Sequence, residues 1–262
     1  MTDTTRTVAR SLSPLAFVLG CAVVFAVAGA FGNLWPAQRT LVTSAIAAIG
    51  TLALTGFALK FGDINAREVG LVPDRRTPAH LLVGLLLGFG LVAVHMLVLA
   101  ASGHIAWQWN PDISSATFYT NVALYLLLAH REELAYRGWA FRTLVRQRGA
   151  MTAQLAIALL FAAEHVAGGV PWQQALLGAG VGSLAFGAAA LRTGGLAMPI
   201  AFHTAWNIAD WARGGKNATG FLLPSVQPGF ERSTELISLA SYIVLMLAAT
   251  AVILLWRPRR KV

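Results

Sequence analysis

The run NVALYLLLAHREELAYRG, residues 121–138, decides how this chain folds, because it reads as a membrane helix and yet holds Arg131, Glu132, Glu133 and Arg137. An Asp, Lys or Arg at the centre of a spanning helix costs roughly 2.5–3.5 kcal/mol, so charges in this number offset most of what the Leu and Ala residues contribute. A bilayer accommodates such a helix where the charges face a water-filled cavity, meet partners on neighbouring helices, or take part in chemistry. The rest of the chain fits a bilayer. Only 12% of its 262 residues are charged and 56% are hydrophobic, and the mean hydropathy of +0.63 is far above that of a soluble globular domain.

Working outward, apolar runs of spanning or near-spanning length occur at about 14–31, 40–59, 78–101, 118–144, 151–166, 172–191, 196–212 and 236–256. The expected fold is therefore all-α, a polytopic integral membrane bundle of about eight transmembrane helices. With no repeat, heptad or low-complexity tract, residues 1–262 read as one domain whose polar core is 118–212. The segment 61–77 reads as an interfacial stretch or short surface helix, and the Gly- and Pro-rich segment 214–232 as an irregular outer loop. Gly84 and Gly88, and likewise Gly178 and Gly182, give small faces four residues apart for close helix packing. The sole cysteine, Cys21, allows neither an intrachain disulfide nor a cysteine-rich zinc site. The residues before it match a lipoprotein cleavage site only in part, and the run 12–31 reads as an uncleaved anchor.

The net charge of +9 reads as topology rather than nucleic-acid affinity. With the N-terminus inside, fifteen basic residues fall at or near the cytoplasmic face, Arg6, Arg10, Arg67, Arg146 and Lys261 among them. Only Arg39, Arg213, Lys216 and Arg232 fall outside. Basic residues collect in cytoplasmic loops, so both termini are expected in the cytoplasm.

Three helices carry the unusual polar groups. Glu133 and Arg137, four residues apart, lie one turn apart on one helix face and suit an ion pair. Glu132 points about 100° away and is the freer carboxylate. The fifth run ends in Phe161, Glu164 and His165. The seventh holds His203 and Asn207 on one face. Taken singly, a buried histidine or an i,i+4 pair is more often structural than catalytic. Together at similar depth, they fit a polar pocket of a hydrolytic site. His95 reads as structural, His80 and His104 as interfacial, His130 as a neighbour of Glu133, and Asp210 as a support for His203.

These residues resemble the motifs of the CPBP family, the CAAX proteases and bacteriocin-processing enzymes, which includes type II CAAX prenyl endopeptidases and Abi-type bacterial proteins. Two glutamates followed by arginine are matched by Glu132, Glu133 and Arg137. Phenylalanine with histidine four residues on is matched by Phe161 and His165, and histidine with asparagine four on by His203 and Asn207. All three stand in family order. The resemblance implies an intramembrane endopeptidase of a bacterial cell membrane, acting on a peptide or membrane-protein substrate, CAAX-type tails included. It assigns Glu132 as general base, His165 as the residue holding the water, and His203 and Asn207 as oxyanion donors, with Glu133 and Arg137 supporting. Whether zinc takes part stays open. Glu132, His165 and His203 offer a ligand set, no His-Glu-x-x-His helix is present, and the metal-free reading is preferred. The alternative is a non-proteolytic membrane immunity or regulatory protein that uses the same cluster for binding. An ion or proton carrier is a third reading, disfavoured by the lack of inverted repeats.

Overall fold

The computed structural model describes residues 3–216 and 219–256, with side chains from residue 14 onward. The Arg6 and Arg10 side chains and the basic tail Arg257, Arg259, Arg260 and Lys261 thus lie outside the described residues. The chain folds into a helical bundle: α1 (Asp3–Gly32), α2 (Arg39–Phe61), α3 (Ala66–Val69), α4 (Thr77–Ala101), α5 (Ser115–Arg137), α6 (Trp139–Arg148), α7 (Ala150–Ala167), α8 (Trp172–Gln174), α9 (Val181–Thr193), α10 (Ala197–Ala212) and α11 (Glu231–Leu255). A π-helical turn, Ala175–Gly180, joins α8 to α9. The architecture is the expected all-α membrane bundle.

Among the described residues, six helices are long and apolar enough to cross a membrane unaided: α1, α2, α4, α7, the α8–α9 unit and α11. The two remaining expected spans, α5 and α10, carry the first and third of the three motifs, and the second lies on α7. Eleven of the sixteen residues of α10 are buried, and six consecutive residues of α5, Glu132 to Arg137, are buried on every side. Along these buried stretches the two helices face protein rather than lipid, which removes the insertion cost of the polar groups they hold there.

Close packing of α4 on α10 follows from Gly84 and Gly88. A Cβ on Gly84 would stand 2.5 Å from the Met198 carbonyl oxygen and 2.8 Å from the Ala201 Cβ; one on Gly88 would stand 2.6 Å from the Phe202 oxygen and 2.7 Å from the Ala205 Cβ. The two small faces thus meet Ala201 and Ala205, themselves four residues apart. The second glycine pair behaves differently. Gly182 lies against the Tyr242 hydroxyl, whereas nothing stands within 4 Å of a Cβ on Gly178. Its carbonyl instead accepts a hydrogen bond from Tyr242 at 2.8 Å.

Two expectations need correction. The fourth run is not one helix to Leu144, because it breaks at Gly138, and α6 runs on as a separate ten-residue helix. A side chain at Gly138 would collide with the Leu134 carbonyl. The break leaves Arg137 buried while Arg146, about half exposed, reaches the surface. Next, the segment after residue 213 is not wholly irregular. Strand β2 (Leu222–Val226) pairs antiparallel with β1 (Ile105–Trp109), with Trp107 opposite Pro224. Five-residue strands are too short to stand out in such an apolar sequence. The short helix expected within 61–77 is present as α3, four residues long, started by the Asn65 side chain accepting from the Arg67 and Glu68 amides and ended by Gly70 at φ +83°.

The two ends of the bundle are tied separately. At one, Arg146 donates to the Asp63 carbonyl at 2.9 Å and to Glu68 at 3.2 Å, and Arg142 donates to the Ala190 carbonyl at 2.9 Å. At the other, the β ribbon joins the segment after α4 to the one before α11, and Trp107 donates to the Arg213 carbonyl at 3.1 Å. Segments 62–76, 138–149 and 194–196 share the first end; segments 102–114 and 213–230 share the second.

Candidate active site

The break at Gly138 sets the depth of the polar cluster. Glu132 is five residues from the end of α5, and His203 six from the start of α10. At 1.5 Å per residue, both lie about 8–9 Å in from the end of the bundle that holds segments 62–76 and 138–149. This corrects the expectation of a mid-helix Glu132, which assumed a helix continuing past Gly138. It also resolves the position of His165 near the far end of α7. Phe161, well inside α7, packs against Arg137, the last residue of α5, with the guanidinium carbon 4.6 Å from its ring centroid. The antiparallel helix α7 is therefore displaced along α5, so that its final turn, with His165 four residues beyond Phe161, lies back from Arg137 toward the level of Glu132.

Within the cluster, the Glu133 and Arg137 pair forms as expected, with Arg137 Nη1 3.4 Å from Glu133 Oε1 and both side chains fully buried. Glu133 has a second task. Its Oε1 accepts a hydrogen bond from His203 Nδ1 at 2.8 Å, which fixes the imidazole and leaves Nε2 pointing into the cluster. His203 Nε2 stands 3.8 Å from Glu132 Oε2, too far for a direct hydrogen bond. Glu132 is less free than its helical position suggests, because Arg131 donates to its Oε1 at 3.0 Å. Its Oε2 is buried without a partner among the described residues. An unmet acceptor in a protein interior costs on the order of 1–3 kcal/mol, a cost that a bound donor would remove.

Two residues that sequence reasoning missed complete the support. Ser183, on α9, accepts from Arg137 Nη2 through its hydroxyl at 2.7 Å, and its carbonyl accepts at 3.3 Å. Phe186, one turn on, stacks on the His203 ring with centroids 4.4 Å apart and planes 13° from parallel. A single Ser in the apolar run VGSLAF carries only a faint signal. Nothing in the sequence marks which Phe will face the histidine.

His165 sits in the last turn of α7. Its Nδ1 donates to the Phe161 carbonyl at 2.9 Å and lies 3.2 Å from Glu164 Oε2, so its Nε2 is left as an acceptor. Among the described residues no hydrogen bond joins it to Glu132, Glu133 or His203. The Phe161 ring is near both imidazoles, with centroids 4.6 Å from His165 and 6.4 Å from His203. Asn207 is buried one turn beyond His203. Asp210 does not support His203; its carboxylate pairs with Arg213 at 2.6 Å and with Lys216 at 3.8 Å. His95 is structural, donating from Nε2 to the Ser238 carbonyl at 3.1 Å. His130, exposed on α5, is not part of the cluster, and His104 stacks on Phe230 at the far end.

Among the described residues, no three His, Cys, Asp or Glu side chains converge closely enough to hold a metal ion. Of the three candidates, Glu132 Oε2 and His203 Nε2 stand 3.8 Å apart, with His203 Nδ1 bonded to Glu133, while His165 is bonded to the Phe161 carbonyl and paired with Glu164 instead.

Residues 114–209 match the family model described as type II CAAX prenyl endopeptidase Rce1-like. The match runs from the Ser114 cap of α5 to the last turns of α10, and so takes in Glu132, Glu133, Arg137, Phe161, His165, His203 and Asn207. No curated protein matches the chain.

Proposed function

We propose, for a chain whose residues 114–209 carry a type II CAAX prenyl endopeptidase Rce1-like domain, that Glu132 activates water for the hydrolysis of a peptide bond within the membrane. The observation that supports this most is the buried, unpartnered Glu132 Oε2 standing 3.8 Å from His203 Nε2. One water about 2.8 Å from each atom bridges that gap. In this position Glu132 takes a proton from the water as its oxygen attacks the scissile carbonyl, then returns it to the leaving amine. His165 offers its Nε2 to the same water from the α7 side.

The carbonyl oxygen gains negative charge in the tetrahedral intermediate, and Nε2–H of a protonated His203 and the Asn207 amide are the donors that meet it. Such a donor typically contributes about 2.7–4 kcal/mol to the barrier. The Glu133 carboxylate, bonded to Nδ1, holds the imidazole with Nε2 turned toward that oxygen. Arg137 and Ser183 hold Glu133 in turn, and Phe186 fixes the plane of the ring. Because these supports sit on α5, α9 and α10 rather than on loops, the donors are preorganised.

The site lies nearer the end of the bundle that carries Lys60, Arg67, Arg75, Arg76, Arg142, Arg146, Arg148 and Arg192, against Arg39, Arg213, Lys216 and Arg232 at the other. By the positive-inside rule the first end is cytoplasmic, so the substrate is a peptide or membrane-protein segment presented from the cytoplasm, prenylated CAAX-type tails included. The test compares peptide termini in membranes from cells carrying the wild type, Glu132→Gln and His203→Ala. Termini found with the wild type and missing with both variants are expected. If the wild type produces none, the protease reading fails.

A further inference from the structure

Beside the catalytic cluster lies a cavity of about 790 Å³, enclosed by α2, α4, α5 and the turn between α9 and α10, and covered by the segment 67–77. Its volume falls within the range of small-molecule sites. Ile49, Leu52, Leu81 and Leu126, on α2, α4 and α5, wall it and are exposed rather than packed into the core, so the chamber presents an apolar wall along helices of membrane-spanning length. Its other rim is polar, with Arg67, Asp74, Thr77 and His80 at the end of the bundle that carries the basic residues.

The charges at that rim do not balance locally. Asp74 is engaged by the Thr77 hydroxyl at 3.1 Å and the Arg76 amide at 2.9 Å. Glu68, next to Arg67, is engaged by Asn65 at 2.6 Å and Arg146 at 3.2 Å. Among the described residues the Arg67 guanidinium has neither an ion pair nor a hydrogen bond, and neither have the guanidinium groups of Arg75 and Arg76, which follow the rim residue Asp74 in the chain. An apolar chamber along such helices, with surplus cations at its aqueous rim, fits an anionic amphiphile.

The lining includes none of Glu132, Glu133, His165, His203 or Asn207. Leu134, Leu196 and Ile200 form a buried cluster, packed with Leu71, that lines the cavity on the α5 and α10 side. A molecule in the cavity is therefore held next to the site rather than in it. We propose that the cavity binds an anionic phospholipid of the bilayer, one acyl chain between α2, α4 and α5 and the phosphate at Arg67 and His80. Leu134 directly follows Glu133, and Ile200 is three residues before His203, so the lipid buttresses the two helices that hold the Glu133–His203 hydrogen bond.

The experiment uses the purified full chain in detergent, titrated with phosphatidylglycerol or with phosphatidylcholine of identical acyl chains and read by native mass spectrometry and thermal unfolding. Phosphatidylglycerol should bind and raise the melting temperature, while phosphatidylcholine should do neither. Arg67→Gln should weaken binding about fivefold, the contribution of one basic residue near a lipid surface. Leu52→Trp, which fills the chamber from a wall position already exposed to lipid, should abolish it. Equal binding of the two lipids, or binding unchanged by Leu52→Trp, overturns the proposal even if Arg67→Gln cannot be purified. Displacement of the phospholipid by a farnesylated peptide would assign the cavity to substrate instead and equally overturn it.

Discussion

Replacing Gly88 by alanine tests the packing that positions α10. The added Cβ would stand 2.6 Å from the Phe202 oxygen, 2.7 Å from the Ala205 Cβ and 2.8 Å from the Trp206 nitrogen. Two of these atoms are backbone and the third is a Cβ, so none can swing aside. Relief requires α4 and α10 to separate by on the order of 0.8 Å, an overpacking that costs about 1–3 kcal/mol. Alanine also gains about 1 kcal/mol of helix propensity over glycine, which masks part of that cost. Gly90, on the same helix with nothing within 4 Å of its Cβ position, supplies the control. The difference between Gly88→Ala and Gly90→Ala cancels the propensity gain and should be about 1–3 kcal/mol, or some 2–10 °C in melting temperature for a chain of this size. Thermal and denaturant unfolding in detergent measure it. Because α10 carries His203 and Asn207, the same shift should lower cleavage by up to about a hundredfold. If the two alanine variants unfold within about 0.5 kcal/mol of each other, the direct backbone contact of α4 with α10 is refuted.

Three further outcomes are expected. Ser183→Ala removes the 2.7 Å hydrogen bond to the buried Arg137 and should destabilise the protein by about 1.5–3 kcal/mol, as measured by denaturant unfolding, while Ser183→Thr, which keeps the hydroxyl, should retain most of it. Gly138→Ala presses a Cβ on the Leu134 carbonyl and should cost about 1–3 kcal/mol with a loss of turnover, because the end of α5 moves; unchanged melting and turnover would refute the break as a determinant of the site. Asn65→Ala deletes the cap of α3, costing about 0.5–2 kcal/mol, and hydrogen exchange should rise first at Arg67 and Glu68, whose amides it satisfies.

Much of this architecture was legible in the residues. The apolar runs require helices in a bilayer, and the Gly84–Gly88 spacing requires close approach to some partner. Helical geometry also put Glu133 with Arg137, and His203 with Asn207, on common faces, since residues four apart lie one turn apart. Other features were out of reach because they depend on contacts between helices. Helical angles gave Glu132 no partner, yet its neighbour Arg131 folds back onto it. Spacing along one helix also could not assign Glu133 to His203, seventy residues away, or Asp210 to Arg213 instead of His203.

The sequence by itself determined that the chain crosses a bilayer as a helical bundle and that an acid pair, two imidazoles and an amide lie within it. Hydrophobic length and 3.6-residue periodicity are local properties that any fold must respect. Only the tertiary structure decided how those groups meet. The break at Gly138 raised the site to within two turns of one end, the displacement of α7 brought His165 toward the level of Glu132, and α9 supplied Ser183 and Phe186. The chamber beside the cluster likewise exists only once α2, α4, α5 and α10 are packed, because a cavity is made by the space between helices and not by any one of them.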